Sequence, residues 1–253
     1  MDYMMIAANR IKNRLGDDGD AFIVIDGEEG SGKSSFMLRF CKMIDADFTL
    51  DHVVYRKGKL VEAVYKFKKK SAIAHDELGL DAYKRRAMSR SNVELKQASM
   101  VWRDQNQAVV ACIPCFWDLD PGLIERTYLW IHIVVKEKED GHLIRGIAEF
   151  HYGKRSKWDT EKNWDEVCSQ EFEMVPPEIY KVYKANKAKA IQEALAEENK
   201  DEEEKDWRGE LIQRMTDLGY TQKEQGEILG TAQSRISQLL KKYDNKSITA
   251  IVR

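Results

Sequence analysis

The sequence predicts an α/β fold: a mostly parallel sheet flanked by helices and ending in a C-terminal β-hairpin, then a long helical arm and a small all-α helix-turn-helix domain. Three observations lead there. Short apolar runs alternate with helical patterns from residue 21 onward. A glycine-rich turn joins the first run to the first helix. Residues 178–206 contain neither Gly nor Pro, and short helical patterns with their own turn signals follow them.

Taken in order, Ala21–Asp26 reads as a buried strand and Lys33 to about Ile44 as a helix. A strand over His52–Tyr55, a helix over Lys59–Lys69 and a strand over Ala72–His75 continue the βαβαβ rhythm of a parallel sheet. A long helical stretch after Glu77, with a break near Ser89–Asn92, leads to a further strand over Ala108–Pro114. Tyr128–Lys136 and Leu143–Tyr152 alternate apolar and polar residues around Glu139-Asp140-Gly141, a hairpin in which Asp-Gly supplies the positive φ of the turn. Pro176-Pro177 ends this domain, since proline cannot continue a ladder. The expected organisation is therefore a domain over 1–175, a charged helical arm over 176–206, a second domain over 207–245 and a tail over 246–253.

Composition sets the bounds. The 253 residues suffice for one sizeable α/β domain and something small, and 43% hydrophobic content can bury a core despite 33% charged residues. No apolar run approaches the ~20 residues of a membrane helix, and Met1–Leu15 is amphipathic and basic without a signal-peptide core. The expectation is a cytoplasmic protein with no membrane partner. The net charge of −2 hides an uneven distribution, with basic clusters at 56–70 and 84–90 and an acidic run at 197–206. Cys112 and Cys115 form a C-x-x-C, but inside an apolar segment and without a second pair to complete a zinc site.

The chemistry concentrates in Gly27-Glu28-Glu29-Gly30-Ser31-Gly32-Lys33-Ser34, between the first strand and the first helix. Glycines at 27, 30 and 32 let backbone N–H groups converge on phosphate oxygens at a helix N-terminus. Lys33 is placed to reach the β- and γ-phosphates of ATP, and Ser34 to offer its hydroxyl to Mg²⁺. Residues 27–34 together with Ser35 are the candidate nucleotide contacts. Glu28 and Glu29 put negative charge on the rim of this loop and favour binding only if their side chains point outward. The second carboxylate that such a site needs stands in Ser71-Ala72-Ile73-Ala74-His75-Asp76-Glu77. Asp76 suits the metal and Glu77 is placed to polarise an attacking water. His75, where an aliphatic residue is usual, reads either as a core histidine or as a contact of the site.

With these motifs the chain resembles the ASCE division of P-loop ATPases, whose RecA-like sheets insert a strand between the phosphate-loop strand and the Asp-Glu strand. More narrowly it resembles the FtsK–HerA and zonula-occludens-toxin-like ATPases of mobile elements. The resemblance covers roughly Ala21 to Tyr152 and rests on Gly27–Ser34, Asp76-Glu77, Ala108–Pro114 and Asp118-Leu119-Asp120…Ile124-Glu125-Arg126. It implies ring-forming homo-oligomers acting on DNA, and an arginine finger reaching a neighbour's nucleotide, with Arg126 the first candidate and Arg103 the second. The chain departs from the pattern at Cys112-Ile113-Pro114-Cys115, where a polar sensor is expected.

The C-terminal segment has its own signals. Leu211, Ile212, Met215 and Leu218 recur at helical spacing before Gly219, and Thr221-x-x-Glu224 is a capping box for a second helix. Thr231 caps a third, with Ile236, Leu239, Leu240 and Tyr243 inward. Its other face carries Gln233, Ser234, Arg235 and Gln238, suited to base edges, and Lys241 and Lys242, suited to phosphates. The sequence thus leads to an ATP-hydrolysing, DNA-handling protein tethered to double-stranded DNA. An ATP-gated transcription regulator, or a nucleotide switch with the C-terminal unit as a protein dock, is the alternative.

Overall fold

In the computed structural model, residues 2–55, 59–76, 98, 99, 101–154 and 162–240 are described, without side-chain detail for 194–210. The chain forms two compact units, Met1–Ile191 and Gln192–Arg253. Of the helical stretch expected after Glu77, residues 77–97 lie outside the described residues, while 98, 99 and 101–104 are helical.

Among the described residues the first unit has strands β1 (Ala21–Gly27), β2 (Val53–Val54), β3 (Ala72–His75), β4 (Ala108–Cys112), β5 (Thr127–Glu137), β6 (Leu143–Lys154) and β7 (Asn163–Glu171). They form one sheet of seven strands in the order β2-β3-β4-β1-β5-β6-β7. β2, β3, β4, β1 and β5 pair in parallel, and β5, β6 and β7 pair antiparallel. As the resemblance implies, β4 lies between β1 and β3. The hairpin forms as expected, with Gly141 at φ +81° in its turn. Two features escaped the sequence reading. β5 joins the parallel part of the sheet beside β1 before turning into the hairpin. β7 is an edge strand whose largely polar, mostly exposed residues give no apolar run to notice.

The helices described from end to end are α1 (Tyr3–Gly16), α2 (Lys33–Ile44), α3 (Lys59–Lys66), α4 (Pro121–Arg126) and α5 (Pro177–Asp217); Trp102 lies in the helical residues 101–104. β1 feeds both layers of the core because successive side chains on a strand point to opposite faces. Ile23 and Ile25 join Met4, Ala7 and Ile11 of α1, Phe36, Met37, Phe40 and Cys41 of α2, and Tyr183 of α5. Phe22 and Val24 join Leu60 and Val64 of α3, Trp102, and Leu123 of α4. No helix among the described residues is long and apolar enough to cross a membrane.

Pro177 does more than end the sheet domain. It opens α5 at a helix position that tolerates proline, and the first turns of α5 pack into the first unit through Tyr183, only 1% exposed.

In the second unit α5 ends at Asp217, α6 spans Gln222–Ile228, and residues 233–240 form a third helix. The Thr221 capping box is present, with Glu224 N–H donating to the Thr221 hydroxyl and Thr221 N–H to the Glu224 carboxylate. Ile212, Met215, Gln225, Gly226 and Ile236 are buried. Leu218 is not the core residue that its spacing predicted. It lies past the end of α5 and is 77% exposed.

Candidate functional site

β1, β3 and β4 end side by side, so the residues after them gather at the C-terminal edge of the parallel strands, where open α/β sheets bind ligands. After β1 the chain makes the phosphate loop. Gly27, Gly30 and Gly32 adopt φ of +135°, +74° and +108°, which side chains resist, and Gly32 opens α2. Gly27 N–H donates to Pro114 O at the end of β4 (3.4 Å), so the neighbouring strand props the start of the loop. The first N–H groups of α2 have no acceptor within their helix and carry the positive end of its dipole. Lys33 folds over the loop, its ammonium donating to Gly27 O at 2.6 Å and Glu28 O at 2.7 Å. Desolvation lowers its pKa below the usual lysine range. Glu28 and Glu29 are exposed.

The second half of the site comes from β3. Asp76 follows the strand and is 2% exposed. One carboxylate oxygen accepts from the Ser34 hydroxyl at 3.4 Å. The other accepts from the Tyr183 hydroxyl and pairs with the Lys187 ammonium at 2.9 Å, both from α5. Burial and the neighbouring carboxylate push the Tyr183 phenol far above its ordinary pKa, so it stays protonated. Ser35 is used differently from expectation: its hydroxyl accepts from Val175 N–H at 2.6 Å. With the Arg39–Glu173 ion pair at 3.1 Å, this bond holds the segment before α5 against α2.

A cavity of about 670 Å³ opens between these parts, lined among others by Gly30, Lys33, Ser34, Asp76, Arg145 and Lys187. A second cavity of similar size, lined chiefly by Leu38, Met43, Phe48, Leu50, Ile179 and Val182, contains none of the phosphate loop. The first suits a magnesium–nucleotide by its chemistry: helix-start N–H groups, a lysine, a hydroxyl and a buried carboxylate converge there. The Ser31 hydroxyl, fully buried in the loop, has no hydrogen-bond partner among the described residues.

Lys33, Ser34 and Asp76 therefore come together as the sequence predicts. Glu77, Lys241 and Lys242 lie outside the described residues. Arg126 does not approach this site. It sits where β5 begins, at the opposite edge of the sheet, donating to Asp20 at 3.4 Å and Ser99 O at 3.1 Å. His75 is a core residue, 2% exposed, with Nδ1 unpartnered among the described residues and burial lowering its pKa to about 4.

Sequence reasoning missed Asp26, Tyr183, Arg145 and Lys187. Asp26, one residue before the loop, is buried and accepts from Phe116 N–H (2.8 Å) and Trp130 Nε1 (2.7 Å) and bonds His132 Nδ1 (2.8 Å). The signal for the α5 residues was present: Tyr180, Tyr183 and Lys187 recur at helical spacing.

No family model matches this chain, and no curated protein matches it. Among solved structures that align with it is the DNA-packaging ATPase from Sulfolobus turreted icosahedral virus, 15% identical, with a TM-score of 0.38 over 53% of this chain and 93% of that one. The N-terminal domain of zonular occludens toxin from Neisseria meningitidis is 14% identical, with a TM-score of 0.33 over 64% and 98% of the two chains. A DNA polymerase III gamma subunit-related protein from Thermotoga maritima is 11% identical, with a TM-score of 0.33 over 53% of this chain. This chain spans about half, 47%, of that protein's length.

In the second unit Gln233, Ser234, Arg235 and Gln238 are all exposed on the helix at 233–240, and Arg235 donates to Gln238 at 3.2 Å.

Proposed function

We propose that this chain binds ATP with Mg²⁺ at the phosphate loop and hydrolyses it in the course of handling double-stranded DNA, as a protein of a mobile element. The observation that carries the nucleotide part is the meeting of the Ser34 hydroxyl and the Asp76 carboxylate, 3.4 Å apart, beside Lys33 at the head of α2. Mg²⁺ bound with the nucleotide would neutralise charge on the β- and γ-phosphates. Ser34 and Asp76 would hold it, while Lys33 exchanges its loop carbonyls for phosphate oxygens. The N–H groups of the loop would bind and orient the phosphates. In this reading Glu77 accepts a proton from the attacking water. Arg126 has no route to the nucleotide of its own chain, so its finger role is directed at a neighbouring subunit.

The DNA part rests on the exposed row Gln233, Ser234, Arg235 and Gln238, a polar set that can donate to and accept from base edges, with Lys241 and Lys242 assigned to phosphates. The test is the ATPase rate of the full chain with and without duplex DNA, for wild type, Glu77→Gln and Arg235→Ala with Gln238→Ala. Turnover stimulated by DNA, abolished by the first variant and no longer stimulated in the double variant is the expected result. Unstimulated turnover with no DNA binding at low salt would sink the DNA part.

The end of β4 favours a second reading, an ATP-gated switch. Cys112, Ile113 and Pro114 line the cavity where a polar sensor would poise water for attack. A footprint on one preferred sequence with little turnover would decide for it.

A further inference from the structure

Asp76 is the only carboxylate among the described residues lining the site that is almost fully buried, and a charge so placed needs a partner. That partner is Lys187, whose ammonium lies 2.9 Å from the Asp76 oxygen that also accepts from Tyr183. Mg²⁺ held by Ser34 and the Asp76 oxygen beside it would draw charge from the carboxylate and weaken its hold on Lys187 at the other oxygen.

Lys187 does not have to leave the cavity when that hold weakens. Its side chain lines the same space as Gly30, Lys33 and Arg145, and its flexible four-carbon stem lets the ammonium swing while its Cα stays put. The backbone of α5 is anchored there: Tyr183 is buried, Val175 N–H is bonded to Ser35, and Glu173 is paired with Arg39. A triphosphate entering the cavity supplies the negative charge that a displaced ammonium seeks.

Building on the nucleotide-binding reading, we propose that Lys187 is a nucleotide-contacting residue, whose ammonium passes from Asp76 to oxygens of the terminal phosphate when the magnesium–nucleotide binds. α5 would then sense the γ-phosphate within its own chain. A diphosphate leaves nothing at that position for Lys187 to hold.

Equilibrium binding of fluorescent ATP and ADP analogues to the full chain, with Mg²⁺, tests this on wild type, Lys187→Ala, Lys187→Arg and Lys33→Ala. Loss of one charge-assisted contact should weaken the ATP analogue about tenfold in Lys187→Ala and leave the ADP analogue within about twofold. Lys187→Arg, which keeps the charge, should recover most of the ATP affinity. Equal effects on both nucleotides, or none, overturn the proposal while leaving nucleotide binding intact. If wild type binds neither analogue and Lys33→Ala changes nothing, the nucleotide reading falls and this proposal with it. Retained binding of the ADP analogue shows that Lys187→Ala folds and keeps the ATP result decisive.

Discussion

The Tyr183 hydroxyl, on α5, donates to the carboxylate of Asp76 at the end of β3, so the helix after the sheet is fastened to the residue most suited to a metal. Tyr183 also stacks on Tyr180, with ring centroids 5.6 Å apart, and meets Tyr55 at 5.7 Å. Tyr183→Phe keeps those ring contacts and removes only the bond. Hydrogen bonds to charged groups contribute about 1.5–3 kcal/mol, and a loss in that range is expected in urea unfolding of the variant. No loss would mean that Lys187 and Ser34 satisfy Asp76 without it.

The two loop glycines at 27 and 30 separate steric need from backbone strain. A Cβ on Gly27 would lie 2.3 Å from Ile133 O of the neighbouring strand, and the residue has φ +135°. At Gly30, φ +74°, nothing lies within 4 Å. Gly30→Ala should therefore cost about 1–2 kcal/mol of left-handed strain and still fold. Gly27→Ala must push β1 away from β5 and should lower the melting temperature far more. Comparable melting temperatures for the two variants would contradict this.

His132 gives the first unit a pH dependence. Its hydrogen bond to Asp26 raises its pKa, with burial opposing and Asp26, Glu149 and Glu28 adding attraction. A histidine whose folded pKa lies above its unfolded value of about 6.5 stabilises most below pH 6.5, and that contribution fades as pH rises through the folded value. The stability difference between wild type and His132→Gln, from urea midpoints, should thus be larger at pH 6 than at pH 8.5. The opposite order would show that burial outweighs Asp26.

The second unit depends on a buried amide. Gln225 donates to the Thr216 hydroxyl at 2.8 Å and to Tyr220 O at 3.1 Å, tying α6 to the end of α5. Gln225→Ala should lower amide protection across 211–240 of the full chain by about 1–3 kcal/mol. Unchanged protection would mean that apolar packing around Ile212 and Ile236 suffices.

Much of this was legible because it is local. Strand β1, the glycines of the loop, Lys33 and Ser34 form one contiguous stretch in which composition, periodicity and turn chemistry agree. Asp76 was legible for the same reason, standing at the end of a short apolar run. Leu218 misled because α5 ends at Asp217, so Leu218 falls in the turn with Gly219 and its side chain leaves the helical face. β7 was illegible since an edge strand can be stable on backbone pairing with β6 while its side chains remain polar.

By itself, then, the sequence determined the parallel α/β core, the phosphate loop and its metal-suited carboxylate, and the helical character of the C-terminal region, each encoded in a short local stretch. Only the tertiary structure decided that α5 reaches into the site through Tyr183 and Lys187, that Ser35 serves the segment before α5, and that Arg126 lies at the far edge of the sheet. Those relations join residues distant in sequence. Sheet order and the packing of α5 on α2 bring them into contact, and neither is written in the periodicity of any single segment.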